Sequence, residues 1–187
     1  MIILSELANI FGASFFIFLF LVRAAQYKEG DLVTPILALQ SVLAAFFIVM
    51  HKPVERISHP LNTLISWLCV LLPLAFDLKN VNTLYSLPGL ILAVWSLVTL
   101  GFSFSIPPED RGIVERGPYR FVRHPMYLGE ILSLLGLCLA AENTWNWLAL
   151  LLFVRLLMLR IAAEENVLSK YEPYRKSVRW RMLPGIW

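Results

Sequence analysis

GPYRFVRHPMYLG, residues 117–129, sets charged, aromatic and turn-forming residues between two apolar runs at 84–104 and 126–141. An uncompensated charge at bilayer depth costs on the order of 3 kcal/mol, so a cluster of this kind between two apolar runs marks a site as well as a break between membrane segments. With 58% hydrophobic and 16% charged residues, the 187-residue chain has too little polar surface for a soluble globular protein. Its apolar runs read as an all-α, polytopic integral membrane protein.

Six apolar segments flank or follow this pattern, at 7–22, 32–50, 61–76, 84–104, 126–141 and 145–163. A hydrocarbon core of about 30 Å takes about 20 helical residues, so the second, fourth and sixth segments are expected to cross with ease. The other three are short. Breakers separate them: residues 28–31 with Gly30, HKPVERISHP at 51–60, the stretch 77–83, and the proline- and glycine-rich 106–118. The expectation is one membrane domain over 1–187. Four helices fill 1–104, and a cofactor-binding loop, a helical hairpin and a tail fill 105–187.

Placing the N-terminus in the cytoplasm puts Lys52, Arg56, Arg111, Arg116, Arg120, Arg123 and the basic tail at 170–181 inside. Only Arg23, Lys28 and Lys79 then fall outside, as the positive-inside rule requires. Both termini are therefore expected to be cytoplasmic, in the inner membrane if the source is prokaryotic. Arg23, Lys28, Asp77 and Lys79 read as solvated anchors at helix ends. Residues 1–11 contain no Lys or Arg, so the apolar start reads as a membrane helix and not a signal peptide. The net charge of +3 gives no support to a nucleic-acid partner. Cys69 and Cys138 lie within apolar runs without metal or disulfide spacing, and read as packing residues.

Pro125 suits the first turn of a helix, which places His124 at its N-cap and Tyr127, Gly129 and Glu130 on its first turns. The polar break at Asn143 folds the fifth and sixth segments into an antiparallel hairpin. With equal rise in both helices, Glu130 then lies level with Arg155 or Leu156, and His124 within a turn of Arg160, Glu164 and Glu165. Glu130 with Arg155 reads either as a structural ion pair or as catalytic machinery. Arg160, Glu164 and Glu165 read as a site rather than as solvated charges at a helix end. Tyr119, Arg123, Pro125 and Tyr127 around His124 make a ligand-binding turn rather than a bare cap.

The chain resembles the isoprenylcysteine carboxyl methyltransferase family, which is related to the phospholipid methyltransferases. The resemblance rests on FSFSIPPEDRGIVERGPYRFVRHPMYLG at 102–129, RIAAEENVL at 160–168, Tyr171, Tyr174 and LPG at 183–185. It implies S-adenosylmethionine as methyl donor, bound on the cytoplasmic side, and a lipid-like or prenylated acceptor entering from the bilayer. By motif, Arg123, His124, Pro125, Tyr127 and Gly129 would hold the cofactor, with Glu164 and Glu165 near its ribose or amino-acid portion. The segment ENVLSKYEPY is shorter than the corresponding stretch in the family. A dinucleotide fingerprint is absent, because the nearest approach at 112–117 lacks the middle glycine and follows no strand.

The expected chemistry is methyl transfer to a lipophilic acceptor, with a carboxylate placed first, as in isoprenylcysteine carboxyl methylation. Arg160 or Arg155 would position a carboxylate by bidentate hydrogen bonding. An amine, as in phospholipid N-methylation, would need Glu130, Glu164 or His124 to take its proton. An NADPH-dependent sterol or lipid reductase is the rival enzyme. A small transporter or scaffold is the non-enzymatic rival, but it would spread polar residues over several helices. Residues 32–104 are almost uncharged outside their connections.

Overall fold

The computed structural model describes residues 2–29, 31–77, 82–141 and 143–186, so Gly30 and Lys79 lie outside the described residues. The protein is an all-α membrane protein. Its helices are α1 (Ile2–Gln26), α2 (Val33–Val49), α3 (Pro60–Leu71), α4 (Leu87–Leu100), α5 (Pro125–Ala140), α6 (Thr144–Val167) and the short α7 (Tyr171–Ser177). Among the described residues, three helical stretches are long and apolar enough to cross a membrane: Glu6–Gln26, Thr83–Ser103 and Thr144–Val167. Val33–Val49, Pro60–Ala75 and Pro125–Ala140 are shorter apolar helices.

Two length expectations are corrected by this. The first segment is long because helix extends through Glu6 at one end and Arg23 at the other, charges that sit at helix ends. The second is short because Asp31 Oδ1 accepts the N–H groups of Val33 at 2.9 Å and Thr34 at 3.3 Å, which fixes where α2 begins. His51, Lys52 and Pro53 then follow its end.

Elsewhere the local chemistry acts as its sequence dictates. His59 Nδ1 accepts the Leu61 N–H ahead of Pro60, and Asn143 Oδ1 accepts the Trp145 N–H to start α6. Fully buried Asn146 exchanges hydrogen bonds with the backbone of Asp77, and the Trp145 indole donates to the Ala75 carbonyl. These bonds tie the end of the third apolar segment to the start of the sixth.

The α4–α5 contact is made backbone to backbone. A Cβ on Gly89 would come within 2.2 Å of the Ser133 nitrogen, and one on Gly136 within 2.1 Å of the Tyr85 oxygen. Small residues permit this approach, which drives helix association where lipid supplies no hydrophobic force. Residues 56–57 and 109–110 pair as two-residue antiparallel strands, β1 (Arg56–Ile57) and β2 (Glu109–Asp110). The loop after α2 is thereby fastened to the loop before α5, at the end of the bundle that carries the RHPMY turn.

Candidate active site

His124 occupies the N-cap position of α5, with Pro125 in the first turn as expected, yet its side chain makes no capping bond. The ring is instead free to turn toward α6. Its Nε2 lies 3.1 Å from Glu165 Oε1, and its Nδ1 lies 3.9 Å from Glu164 Oε2. The hairpin register read from the sequence therefore brings these residues together across the fold. Because a carboxylate only accepts, Nε2 carries the donated proton, and this sets the tautomer of the neutral ring.

Glu165 gathers four partners. Beyond His124, its carboxylate accepts from the Tyr171 hydroxyl and from Arg181 Nη2 at 2.7 Å, and Arg123 Nη1 lies 3.5 Å away. Arg123 Nη1 also donates to the Tyr171 oxygen and stacks its guanidinium 5.5 Å from that ring. The tail closes the arrangement through its backbone. Trp180 and Arg181 carbonyls accept the N–H groups of Arg123 at 2.9 Å and His124 at 2.8 Å, so the shortened tail still clamps the RHP turn.

Glu164 points the other way, into a cavity of about 740 Å³ including its open mouth. Tyr119, Arg123, His124 and Tyr127 line that cavity with it. The Tyr127 hydroxyl donates to Glu164 Oε1, its ring stacks on His124 at 5.7 Å and 12°, and the Arg160 guanidinium lies 5.1 Å from the centre of that ring. Burial pushes the Tyr119 phenol well above its ordinary range and raises those of Tyr171 and Tyr174, so all three act as neutral hydroxyls. Tyr174 donates to the Tyr119 carbonyl at 2.9 Å, fixing α7 against the turn.

The remaining expected residues separate. Pro125 is fully buried in the helix start, and Gly129 faces α4, where a Cβ would come within 2.5 Å of the Ala93 nitrogen. Glu165 stands behind the cavity wall and does not line it. Arg155 is exposed and, among the described residues, makes no ion pair with Glu130. The reason is helical phase: five residues turn about 140° around the axis, so Arg155 cannot share a face with Arg160. Arg160 is buried, with Nη2 donating to the Ile106 carbonyl at 3.1 Å and Nε 3.5 Å from Glu164 Oε1. Glu130 is half-buried one helical turn from Tyr127, and interacts electrostatically with Arg160 and Glu164. No hydrogen bond or ion pair reaches its carboxylate among the described residues.

Sequence reasoning missed the opposite wall. Ser103, Glu109 and Arg111 line the cavity from the loop before the RHPMY turn. Arg111 is held by Glu109 at 2.7 Å, with both side chains fully enclosed, and reaches Asn9 of α1 at 3.3 Å. Lys52 donates to Ser103 at 3.0 Å, and Ser103 to the Arg111 carbonyl at 3.2 Å. The signal was present in PPEDRG at 107–112, charge directly after an apolar run, which is the same argument that singled out residues 117–129.

A bundle of apolar helices thus carries at one end a polar cavity walled by the RHPMY turn and Glu164, with Glu165 bracing the turn from behind. The phospholipid methyltransferase family model matches residues 80–175, just over half of the chain, and the protein belongs to that family. No curated protein and no solved structure matches it.

Proposed function

We propose that the protein is an S-adenosylmethionine-dependent methyltransferase whose lipophilic acceptor enters from the bilayer, and that its cavity opens to the cytoplasm. The observation that carries this is the cavity itself, where a carboxylate, two stacked rings and a buried arginine converge. The donor set suits the group: among the described residues Arg123 Nε is a buried donor without a partner, Glu164 is a carboxylate suited to an amino or ribose group, and the stacked rings of Tyr127 and His124 line the cavity beside them. When bound, S-adenosylmethionine supplies an electrophilic methyl group on a sulfonium, whose carbon–sulfur electron pair leaves with the sulfur.

The chain's own residues then have separate tasks. Tyr127 and Arg160 orient Glu164, while Glu165 fixes the His124 ring and the Arg123 fork from behind. Holding two reactants in line can contribute roughly 7–11 kcal/mol, and the four-partner anchoring of Glu165 supports such rigidity. For the acceptor, the arrangement favours an amine-bearing lipid over a carboxylate. Arg160 already donates to a protein carbonyl and faces Glu164, and Arg155 is exposed, so neither of the two arginines expected to clamp an isoprenylcysteine carboxylate is available for it, and the unpartnered donors of Arg123 and Arg111 are left to the cofactor in this reading. Glu130, which does not itself line the cavity, offers a carboxylate unbonded among the described residues on the same face of α5 as Tyr127, and in this reading it takes the proton that the amine nitrogen loses as its lone pair forms the new N–C bond.

Incubating the purified protein with methyl-labelled S-adenosylmethionine and a lipid extract tests this. Label should enter headgroup amines, and Glu130→Gln should lower the rate by about 100-fold or more with cofactor affinity unchanged. Label in the terminal carboxyl of a prenylated peptide, unaffected by Glu130→Gln, would return the carboxylate reading.

A further inference from the structure

A second, separate cavity opens at the other end of α1 and α2. It is lined by apolar side chains, among them Phe20, Ala38, Leu39 and Val42, with Arg23 as its charged member, and spans about 800 Å³ including its open mouth. Arg23 lies 14 residues beyond Asn9, the α1 residue that Arg111 contacts beside the first cavity. At about 1.5 Å per residue the two are about 21 Å apart along the helix, so the second cavity belongs to the opposite leaflet.

Arg23 does not behave as an anchor reaching out to water. Long basic side chains near a membrane boundary normally extend toward the interface. This guanidinium is instead drawn inward, with Nη1 donating to the Leu37 carbonyl at 2.6 Å and to the Ser41 hydroxyl, which sits about two turns into α2. Both partners are neutral. Of the two acids in the connecting turn, Asp31 is occupied in capping Val33 and Thr34 and Glu29 is exposed, and no carboxylate reaches Arg23 within ion-pair distance among the described residues. A membrane arginine is normally compensated by an opposite charge, and here the cation stands beside an apolar groove open to lipid.

We infer that this groove is a binding site for an anionic phospholipid of the leaflet opposite the candidate active site, its phosphate on Arg23 and an acyl chain along Leu39 and Val42. Charge complementarity selects the headgroup, and the apolar walls select a lipid over a soluble phosphate. The assignment does not depend on the methyltransferase reading.

The test uses the full chain, purified in detergent and delipidated, with bound lipid counted by native mass spectrometry. Dioleoyl phosphatidylglycerol should bind about fivefold or more tightly than dioleoyl phosphatidylcholine, a difference that Arg23→Gln removes while S-adenosylmethionine binding stays unchanged. Val42→Trp, at an exposed groove position, should weaken phosphatidylglycerol binding with Arg23 intact, and it decides the matter if Arg23→Gln does not fold. Equal binding of the two lipids to the wild type, or retention of the preference in Arg23→Gln, would overturn the site. Unaltered phosphatidylglycerol binding by Val42→Trp would also overturn it. Competition by glycerol phosphate as strong as that by the lipid would make it a free-phosphate site and overturn the lipid assignment.

Discussion

His124 and Glu165, 41 positions apart, meet with Nε2 and Oε1 separated by 3.1 Å. The same carboxylate also serves Tyr171 of α7 and Arg181 of the tail, which follow it, and Arg123 of the turn before α5. One acceptor thus joins the RHPMY turn, α6, α7 and the tail. Removing one partner of a buried charged network leaves the rest uncompensated, at a cost of about 3 kcal/mol. Glu165→Ala should therefore lower the thermal unfolding midpoint of the purified protein by about 10 °C, followed by fluorescence in detergent. A midpoint within a degree or two of wild type would mean that the network does not hold the site together.

Close helix approach gives a second expectation. Gly136 has the Tyr85 carbonyl where a Cβ would stand, and that oxygen belongs to backbone and cannot swing aside. Gly136→Ala should destabilise the α4–α5 pair by about 1–3 kcal/mol, read as a lower unfolding midpoint and faster proteolysis. Gly112→Ala provides the contrast: its added Cβ meets nothing within 4 Å, and the expected cost is only the backbone strain of φ +85°.

How much of this was legible in the sequence follows from which interactions are periodic. Hydrophobic runs and the Asn143 break located six apolar helices and the hairpin, because helical rise converts residue number directly into depth. That arithmetic brought His124 within a turn of Arg160, Glu164 and Glu165. It gave depth and not phase, which is why Arg155 was placed beside Glu130 although it faces outward, while Gly129, placed by its motif, faces α4. The Glu109–Arg111 wall and the tail carbonyls over the RHP turn were not legible, since loop pairing between residues 56–57 and 109–110 and backbone bonds from 180–181 leave no periodic trace. The division of labour within the diglutamate was equally hidden. Adjacent residues on a helix diverge by about 100°, so one lines the cavity while its neighbour anchors the scaffold.

A pH dependence follows from Asp110 in the loop that fastens the cavity wall. Burial favours its neutral form, but the backbone N–H groups of Ser169 at 2.8 Å and Gly112 at 3.1 Å favour the carboxylate and hold its pKa below the ordinary 3.8. A group with a depressed folded pKa contributes stability above its unfolded value and loses it as pH falls through the folded one. Wild type should thus keep an advantage over Asp110→Asn from neutral pH down to about 4, and that advantage should shrink at lower pH. Unfolding midpoints of both proteins between pH 7 and pH 3 check this. Parallel curves across that range would remove Asp110 from the account.

The central claim is that the cavity walled by His124, Tyr127 and Glu164 holds S-adenosylmethionine. Isothermal titration of the purified protein with S-adenosylmethionine, set beside NADPH, tests it most directly. Loss of one charged hydrogen bond is worth about 1.5–3 kcal/mol, so Glu164→Gln should weaken S-adenosylmethionine by at least about tenfold in protein that still unfolds cooperatively. NADPH should give no heat. Unchanged S-adenosylmethionine affinity in a folded Glu164→Gln protein, or binding of NADPH in its place, would contradict the claim.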